Sequence, residues 1–215
     1  MSNYEQQRIL NRLRPHFETI KQKYENDGRN KTFKLDSIDL GVYVKMIGYF
    51  TKDIEICERN NIDLNKGILL CGLPGVGKTS LIKHLNEIIP TFNESKVCRD
   101  IELEYHKIKD ISILDKYGNT FLKTGNTPIP KSFFFDDLGE EKNVSNFRDE
   151  FNLMEIILEK RHRIQMNHPN HKTFATTNLS LAQIEERYGT RMKSRFSEMF
   201  NHIIFNKDSI NKRKL

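Results

Sequence analysis

The chain has 215 residues and a formal net charge of +6, a basic excess that favours an acidic partner such as nucleic acid. Its 37% hydrophobic content excludes a disordered chain, and no apolar run approaches the ~20 residues that a membrane-spanning helix needs. The three cysteines form no Cys-x-x-Cys pair and the polar N-terminus has no signal-peptide core, so we expect buried free thiols in a cytoplasmic protein.

The N-terminal part of the chain has the patterning of helices. Apolar residues recur at helical spacing over residues 3–25, where Pro15 either kinks the helix or starts a second one. A short extended piece is predicted at 31–35. A further helix is predicted from about residue 36 to about residue 60, although Gly41 and Gly48 weaken that assignment.

From residue 65 onward, short apolar strands alternate with helices. Strands are predicted at 67–71, 96–99, 132–136, 172–177 and 202–205. Helices are predicted at 77–89, 101–116, 147–163, 181–188 and 190–199, with a long loop at 117–130. The helix at 101–116 either is continuous or breaks near Asp110. This alternation is typical of an α/β fold in which five parallel strands form a sheet covered by helices on both faces. We therefore divide the chain into a helical N-terminal region, 1–64, and an α/β core, 65–215.

A phosphate-binding loop follows the first of these strands. The segment Gly-Leu-Pro-Gly-Val-Gly-Lys-Thr matches the pattern G-x-x-x-x-G-K-[ST], between an apolar strand and a helix. The glycines let backbone N–H groups point at phosphate oxygens, and the helix adds its positive dipole end. Lys78 is expected to reach the β- and γ-phosphates of ATP, and Thr79 to offer its hydroxyl to Mg²⁺. The predicted nucleotide contacts are Gly72, Leu73, Pro74, Gly75, Val76, Gly77, Lys78, Thr79 and Ser80.

Polar residues follow two later strands. Asp136 and Asp137 come directly after three consecutive phenylalanines, and carboxylates at the end of a buried strand are suited to Mg²⁺. Asp136 is predicted to hold the metal with Thr79, and Asp137 to orient or deprotonate the attacking water. Asn178 ends the next strand and is predicted to hold that water near the γ-phosphate. The alternative interpretation is that both strand ends are ordinary polar turns.

Two arginines lie four residues apart near the end of the chain. Arg191 and Arg195 fall on one face of the predicted helix at 190–199. From composition alone, this face is either a functional cationic surface or a solvated basic helix.

The order of these motifs resembles AAA+ ATPases of the initiator and helicase-loader clade, and in particular the DnaC/DnaI helicase loaders and the IstB transposition helpers. The resemblance covers residues 60–210. It implies a three-layer P-loop NTPase fold that binds ATP and Mg²⁺. It also implies a role in DNA replication as a loader that binds single-stranded DNA and a replicative helicase, or, for an IstB-like helper, a transposase.

The resemblance also assigns roles to individual residues. Asn178 matches the residue called sensor 1. Arg195 matches the arginine finger and Arg191 the arginine that accompanies it. In this family the finger enters the ATP site of a neighbouring subunit, which implies a homo-oligomer with nucleotide at the subunit interface. Such a cation stabilises the charge that spreads over the γ-phosphate oxygens in the transition state.

The sequence departs from the family pattern in two places. Asp137 stands where many relatives have Glu, and Glu140 and Glu141 are nearby alternatives for its role. We also expect no substantial C-terminal lid, so that Lys212 or Arg213 would have to replace the sensor 2 arginine. An ATP-binding adaptor that hydrolyses little ATP therefore remains an alternative, as does, less favourably, a small-molecule kinase.

Overall fold

The computed structural model describes residues 3–26, 36–124, 127–146 and 149–212. The chain forms two compact units. The first unit comprises Met1–Leu64, Gly72–Thr91 and Ile203–Leu215, and the second unit comprises Asn65–Cys71 and Phe92–His202. The sequence predicts a different division, between a helical region that ends at residue 64 and an α/β core that begins at residue 65. That division stays a prediction.

The described part of the first unit contains the helices α1 (Asn3–Asn26), α2 (Leu40–Phe50), α3 (Ile54–Arg59) and α4 (Lys78–Ile88). The predicted N-terminal helix is confirmed as α1, with Pro15 inside it. Its periodic apolar residues are buried, namely Ile9, Leu13, Ile20 and Tyr24. The extended piece predicted at 31–35 lies outside the described residues.

The single helix predicted at 36–60 is wrong, because the chain breaks between α2 and α3. Asp53 has extended backbone geometry and caps α3, its side chain accepting a hydrogen bond from the Ile56 N–H at 3.1 Å. Gly48 allows α3 to pack closely on α2, since a Cβ there would lie 2.3 Å from Cγ2 of Ile56. Gly48, one of the two glycines that weakened the prediction, therefore marks a close contact between two helices.

The described strands are β1 (Gly67–Cys71), β2 (Glu94–Val97), β3 (Phe121–Thr124), β4 (Thr127–Pro130), β5 (Phe133–Leu138), β6 (Val144–Asn146), β7 (Asp149–Phe151), β8 (Thr173–Thr177) and β9 (Phe200–Ile204). Five of them form the predicted five-stranded parallel sheet, which lies mainly in the second unit and has the strand order β2-β5-β8-β1-β9. The described helices are α5 (Cys98–Ile108), α6 (Ile113–Gly118), α7 (Leu153–Asn167) and α8 (Leu181–Met199).

The three central strands are buried on both faces. Every residue of β1 and β8 is buried, and so is all of β5 except Asp137. Burial of this kind is expected because helices cover a parallel sheet on both sides. The core also contains two of the cysteines, and all three cysteines are buried and free. The expectation of buried free thiols is therefore confirmed.

Two short antiparallel hairpins were not predicted. β3 and β4 form the first within the predicted loop at 117–130, and β6 and β7 form the second. The helix predicted at 147–163 begins only at Leu153, where the Asn152 side chain accepts a hydrogen bond from the Glu155 N–H. The cap is a local signal that favours this later start.

The two helices predicted at 181–188 and 190–199 are confirmed as two segments of α8. Gly189 separates them with φ 81° and ψ 162°, a conformation outside the helical region that suits glycine. Arg191 and Arg195 therefore belong to the segment after the kink.

Arg161 on α7 forms hydrogen bonds near the starts of β5 and β8, two of the three central strands. Its guanidinium is fully buried and donates to Thr173 Oγ1 at 2.8 Å and to the Lys131 carbonyl at 3.1 Å. It also lies 2.8 Å from Nε2 of His171. Burial and the charge of Arg161 lower the pKa of His171 to about 3, so the imidazole is neutral and accepts this hydrogen bond.

We expect Arg161→Met to lower the free energy of unfolding by about 3 kcal/mol, because buried acceptors on two strands would lose their donor. Urea denaturation of the two proteins measures the difference. Arg163→Met is the matched control on the same helix: its side chain is 68% exposed, and a change below about 0.5 kcal/mol is expected. Equal effects of the two substitutions would contradict this role for Arg161.

Candidate functional site

The phosphate-binding loop connects β1 to α4 and has the backbone of an anion site. Gly75 and Gly77 have φ values of 88° and 96°, which residues with a Cβ rarely adopt. Gly77 is the N-cap of α4 and no side chain caps the helix from that position. The N-terminus of α4, where the helix dipole is positive, therefore faces the loop.

The Lys78 side chain is folded over this loop. It is 5% exposed, and its ammonium donates to the carbonyls of Gly72 at 2.8 Å and Leu73 at 3.0 Å. Thr79 and Ser80 follow it in the first turn of α4 and are partly exposed, while Leu73 and Pro74 are exposed at the tip of the loop. The loop thus brings together the residues predicted to contact a nucleotide.

Asp136 lies near the carboxyl end of β5 and is held by a neighbouring strand. The residue is 5% exposed, and its Oδ1 accepts a hydrogen bond from the Thr176 hydroxyl at 2.6 Å. The same hydroxyl oxygen accepts the Asp137 N–H at 3.0 Å. Asp137 has φ 54°, a left-handed conformation that Asp tolerates better than most residues. Thr176, which the sequence prediction missed, fixes both acidic residues.

Asn178 lies at the same edge of the sheet as the two aspartates. Leu138 at the end of β5 pairs with Thr177, the residue before Asn178. The Asn178 amide donates to the exposed Glu140 carboxylate at 3.2 Å. Asp136, Asp137 and Asn178 are therefore brought together at the carboxyl ends of β5 and β8.

Glu141 is committed to a structural role at this edge. It is 2% exposed and accepts hydrogen bonds from the Gly139 N–H at 2.8 Å and the Tyr188 hydroxyl at 2.5 Å. Burial and the Glu141 charge raise the pKa of Tyr188, which keeps the phenol protonated as a donor. Arg187 and Asn152 also contact this carboxylate. Of the two alternatives to Asp137, only Glu140 is exposed to solvent.

Arg191 and Arg195 both contact one carboxylate on α7. Glu159 Oε1 lies 2.8 Å from Arg195 and 3.6 Å from Arg191, and Arg163 binds the same atom at 3.1 Å. The Arg195 side chain is 13% exposed and that of Arg191 is 78% exposed. Glu159 was not predicted, because nothing near it in the sequence indicates two partners more than 30 residues away.

Lys212 lies against the carbonyl side of the phosphate-binding loop. Its ammonium donates to the Val76 carbonyl at 2.9 Å and to Asp39 at 2.8 Å. Arg213, the other residue considered for sensor 2, lies outside the described residues.

Asp136 provides a carboxylate suited to Mg²⁺ at the carboxyl end of β5. Among the described residues, no group of three or more His, Cys, Asp or Glu side chains could hold a metal ion. Mg²⁺ is usually bound by one or two carboxylates together with phosphate oxygens and water. A single oriented carboxylate such as Asp136 fits that pattern.

Of the helices that the structure describes, none is long and apolar enough to cross a membrane.

Of three comparisons with known proteins, only the comparison with solved structures found a similar protein. No protein-family model matches the sequence, and no curated protein matches it. Among solved structures, the chain is similar to one described as the crystal structure of the DnaC helicase loader, at 18% sequence identity and with a TM-score of 0.47. The match covers 83% of this chain and 96% of that chain. At this level of similarity, the function has to be argued from the residues themselves.

Proposed function

We propose that this protein binds and hydrolyses MgATP as an AAA+ ATPase. The observation that carries the proposal is the phosphate-binding loop itself. Gly75 and Gly77 have the positive φ values that an amide-lined anion cradle requires, and Lys78 supplies a cation at the start of α4. In this proposal the loop, together with Thr79 and Ser80, binds the triphosphate.

Asp136 and Thr79 are the proposed magnesium ligands. The metal, when bound, neutralises charge on the phosphate oxygens. The Thr176 hydroxyl donates to one oxygen of Asp136 and so orients the carboxylate. Asp137 is the proposed base for the attacking water, and the Asn178 amide is proposed to orient that water.

Hydrolysis is proposed to depend on assembly. Arg195, accompanied by Arg191, would supply a cation to the nucleotide of a neighbouring subunit in a homo-oligomer. The resemblance of the segment from Tyr188 to Arg195 supports this role, as does the exposure of Arg191. A finger supplied by a neighbour makes turnover rise steeply with protein concentration.

In the cell, we propose a DnaC-like loader that binds single-stranded DNA and a replicative helicase. The excess of six positive charges supports a nucleic-acid partner. Residues 1–64 are the proposed helicase-binding region and residues 65–215 the ATPase core. Capture experiments with the full chain should recover the helicase, whereas recovery of a transposase instead would favour an IstB-like helper.

The proposed nucleotide site is tested by Lys78→Ala, which we expect to weaken MgATP binding by about 10- to 100-fold. A hydrogen bond to a charged group contributes roughly 1.5–3 kcal/mol, and the loop would lose its one lysine contact to the phosphates. Isothermal titration calorimetry on folded protein measures the affinity. Lys83→Ala on the same helix is the control and should bind like the wild type. Unchanged affinity in Lys78→Ala would contradict the proposal.

A further inference from the structure

Three successive carbonyls of the phosphate-binding loop accept hydrogen bonds from distant parts of the first unit. The Gly75 carbonyl accepts from the backbone N–H of Lys212 at 2.9 Å. The Val76 carbonyl accepts from the Lys212 ammonium at 2.9 Å, and the Gly77 carbonyl from the Tyr24 hydroxyl at 3.1 Å. The loop is therefore held from its carbonyl side.

The Lys212 ammonium is fixed by its surroundings. Lys212 is 6% exposed and binds Asp39, which is fully buried, at 2.8 Å. Ser209 donates to the other oxygen of Asp39 at 2.6 Å, so both carboxylate oxygens are used. The rings of Tyr43 and Phe205 lie 5.3 and 5.4 Å from the ammonium. A buried, hydrogen-bonded ion pair of this kind keeps its geometry, because separating the charges leaves one uncompensated.

Asn211 and Tyr24 also pack closely against the glycines of the loop. A Cβ on Gly75 would lie 2.1 Å from Oδ1 of Asn211, and a Cβ on Gly77 would lie 3.2 Å from the Tyr24 hydroxyl. Glycine is therefore needed at these two positions for two reasons. It allows the positive φ of the turn, and it leaves room for Asn211 and Tyr24 to approach the loop.

Holding a carbonyl also orients an amide. The described peptide bonds are all trans, and in a trans peptide the C=O of one residue and the N–H of the next lie in one plane and point in opposite directions. Fixing the carbonyls of residues 75, 76 and 77 therefore fixes the N–H groups of Val76, Gly77 and Lys78. These are amides of the loop that the proposed function assigns to phosphate.

We propose that Lys212 is a positioning residue of the nucleotide site, acting with Asp39 and Tyr24 through the loop carbonyls. It preorganises the amides of Val76, Gly77 and Lys78 for phosphate oxygens and does not itself take the place of the sensor 2 arginine. This inference rests on the proposed function, since it concerns binding at the same loop. Preorganised donors bind more tightly because ordering them costs nothing at the moment of binding.

The test uses the full chain and MgATP as the probe. Lys212→Met should weaken MgATP binding about tenfold and speed amide hydrogen exchange at Val76, Gly77 and Lys78 in protein without nucleotide. Lys207→Met is the matched control, since Lys207 is exposed in the same segment and should change neither quantity. A folded Lys212→Met protein with wild-type affinity and wild-type exchange at these amides would overturn the inference.

Tyr24→Phe keeps the test decisive if Lys212→Met does not fold. It removes only the hydroxyl, and we expect about threefold weaker MgATP binding together with faster exchange at the Lys78 amide. Wild-type affinity in this variant would also overturn the inference. If the wild type itself binds no MgATP, both the proposed function and this inference fail. If the wild type binds and neither variant differs from it, only the inference fails.

Discussion

Replacing Arg195 by alanine is expected to leave MgATP binding nearly unchanged and to lower the rate of ATP hydrolysis by about 10³-fold or more. A finger that contacts the γ-phosphate only as charge develops contributes to the transition state and little to the ground state. Calorimetry measures the binding, and phosphate release at saturating ATP measures the turnover. The expected signature is therefore a loss of turnover with affinity retained.

The structure adds a condition to this expectation. Arg195 is 13% exposed and bound to Glu159, so it has to leave this carboxylate before it can reach another subunit. The cost of leaving is modest, because partly exposed ion pairs are worth only about 0–1 kcal/mol. Glu159→Gln should therefore lower the protein concentration at which turnover appears, with little change in the rate of the assembled protein.

Mixing two inactive variants tests whether the finger acts between subunits. In a mixture with Lys78→Ala, the Arg195→Ala subunits keep an intact phosphate-binding loop and receive Arg195 from their neighbours. Some turnover should then return. Arg163→Ala, which removes another partner of Glu159, serves as the control and should retain activity alone. No recovery of turnover at any mixing ratio would count against a site shared between subunits. If Arg191→Ala loses turnover and Arg195→Ala does not, the finger is Arg191, the exposed arginine.

Features that depend on neighbouring residues were predictable from the sequence. The spacing of the glycines predicted the phosphate-binding loop, and a continuous apolar run predicted β1. Gly189 divided α8 where the pattern indicated. In each case the signal and the structure it specifies lie within one segment of chain.

The contacts that orient the site depend on residues far apart in sequence. Thr176 and Asp136 are 40 residues apart, and Lys212 and Asp39 are 173 apart. Neither pair has a local pattern, because each is created only when separate segments pack together. The helix predicted at 36–60 failed for a different reason, since its break is marked by the local cap Asp53, which the prediction did not use.

Asp137→Asn is expected to reduce ATP turnover by about 10²- to 10⁴-fold while MgATP affinity changes little, which is the range for loss of a general base. Asparagine has nearly the same size and also tolerates a left-handed backbone, so the φ of 54° and the N–H bond to Thr176 should persist. The substitution therefore removes the negative charge and basicity with little other change.

Glu140→Gln is the matched comparison for Asp137→Asn, because Glu140 is the exposed acid that binds Asn178 at the same edge. If Asp137 is the base, Glu140→Gln should lower turnover by less than about tenfold, the loss expected for one hydrogen bond that orients Asn178. A larger loss of turnover in Glu140→Gln than in Asp137→Asn would assign the base to Glu140.

Wild-type protein that releases no phosphate with or without single-stranded DNA would instead favour an ATP-binding adaptor. Phosphate release by the wild type that is lost in Asp137→Asn excludes the adaptor, because an adaptor has no turnover to lose.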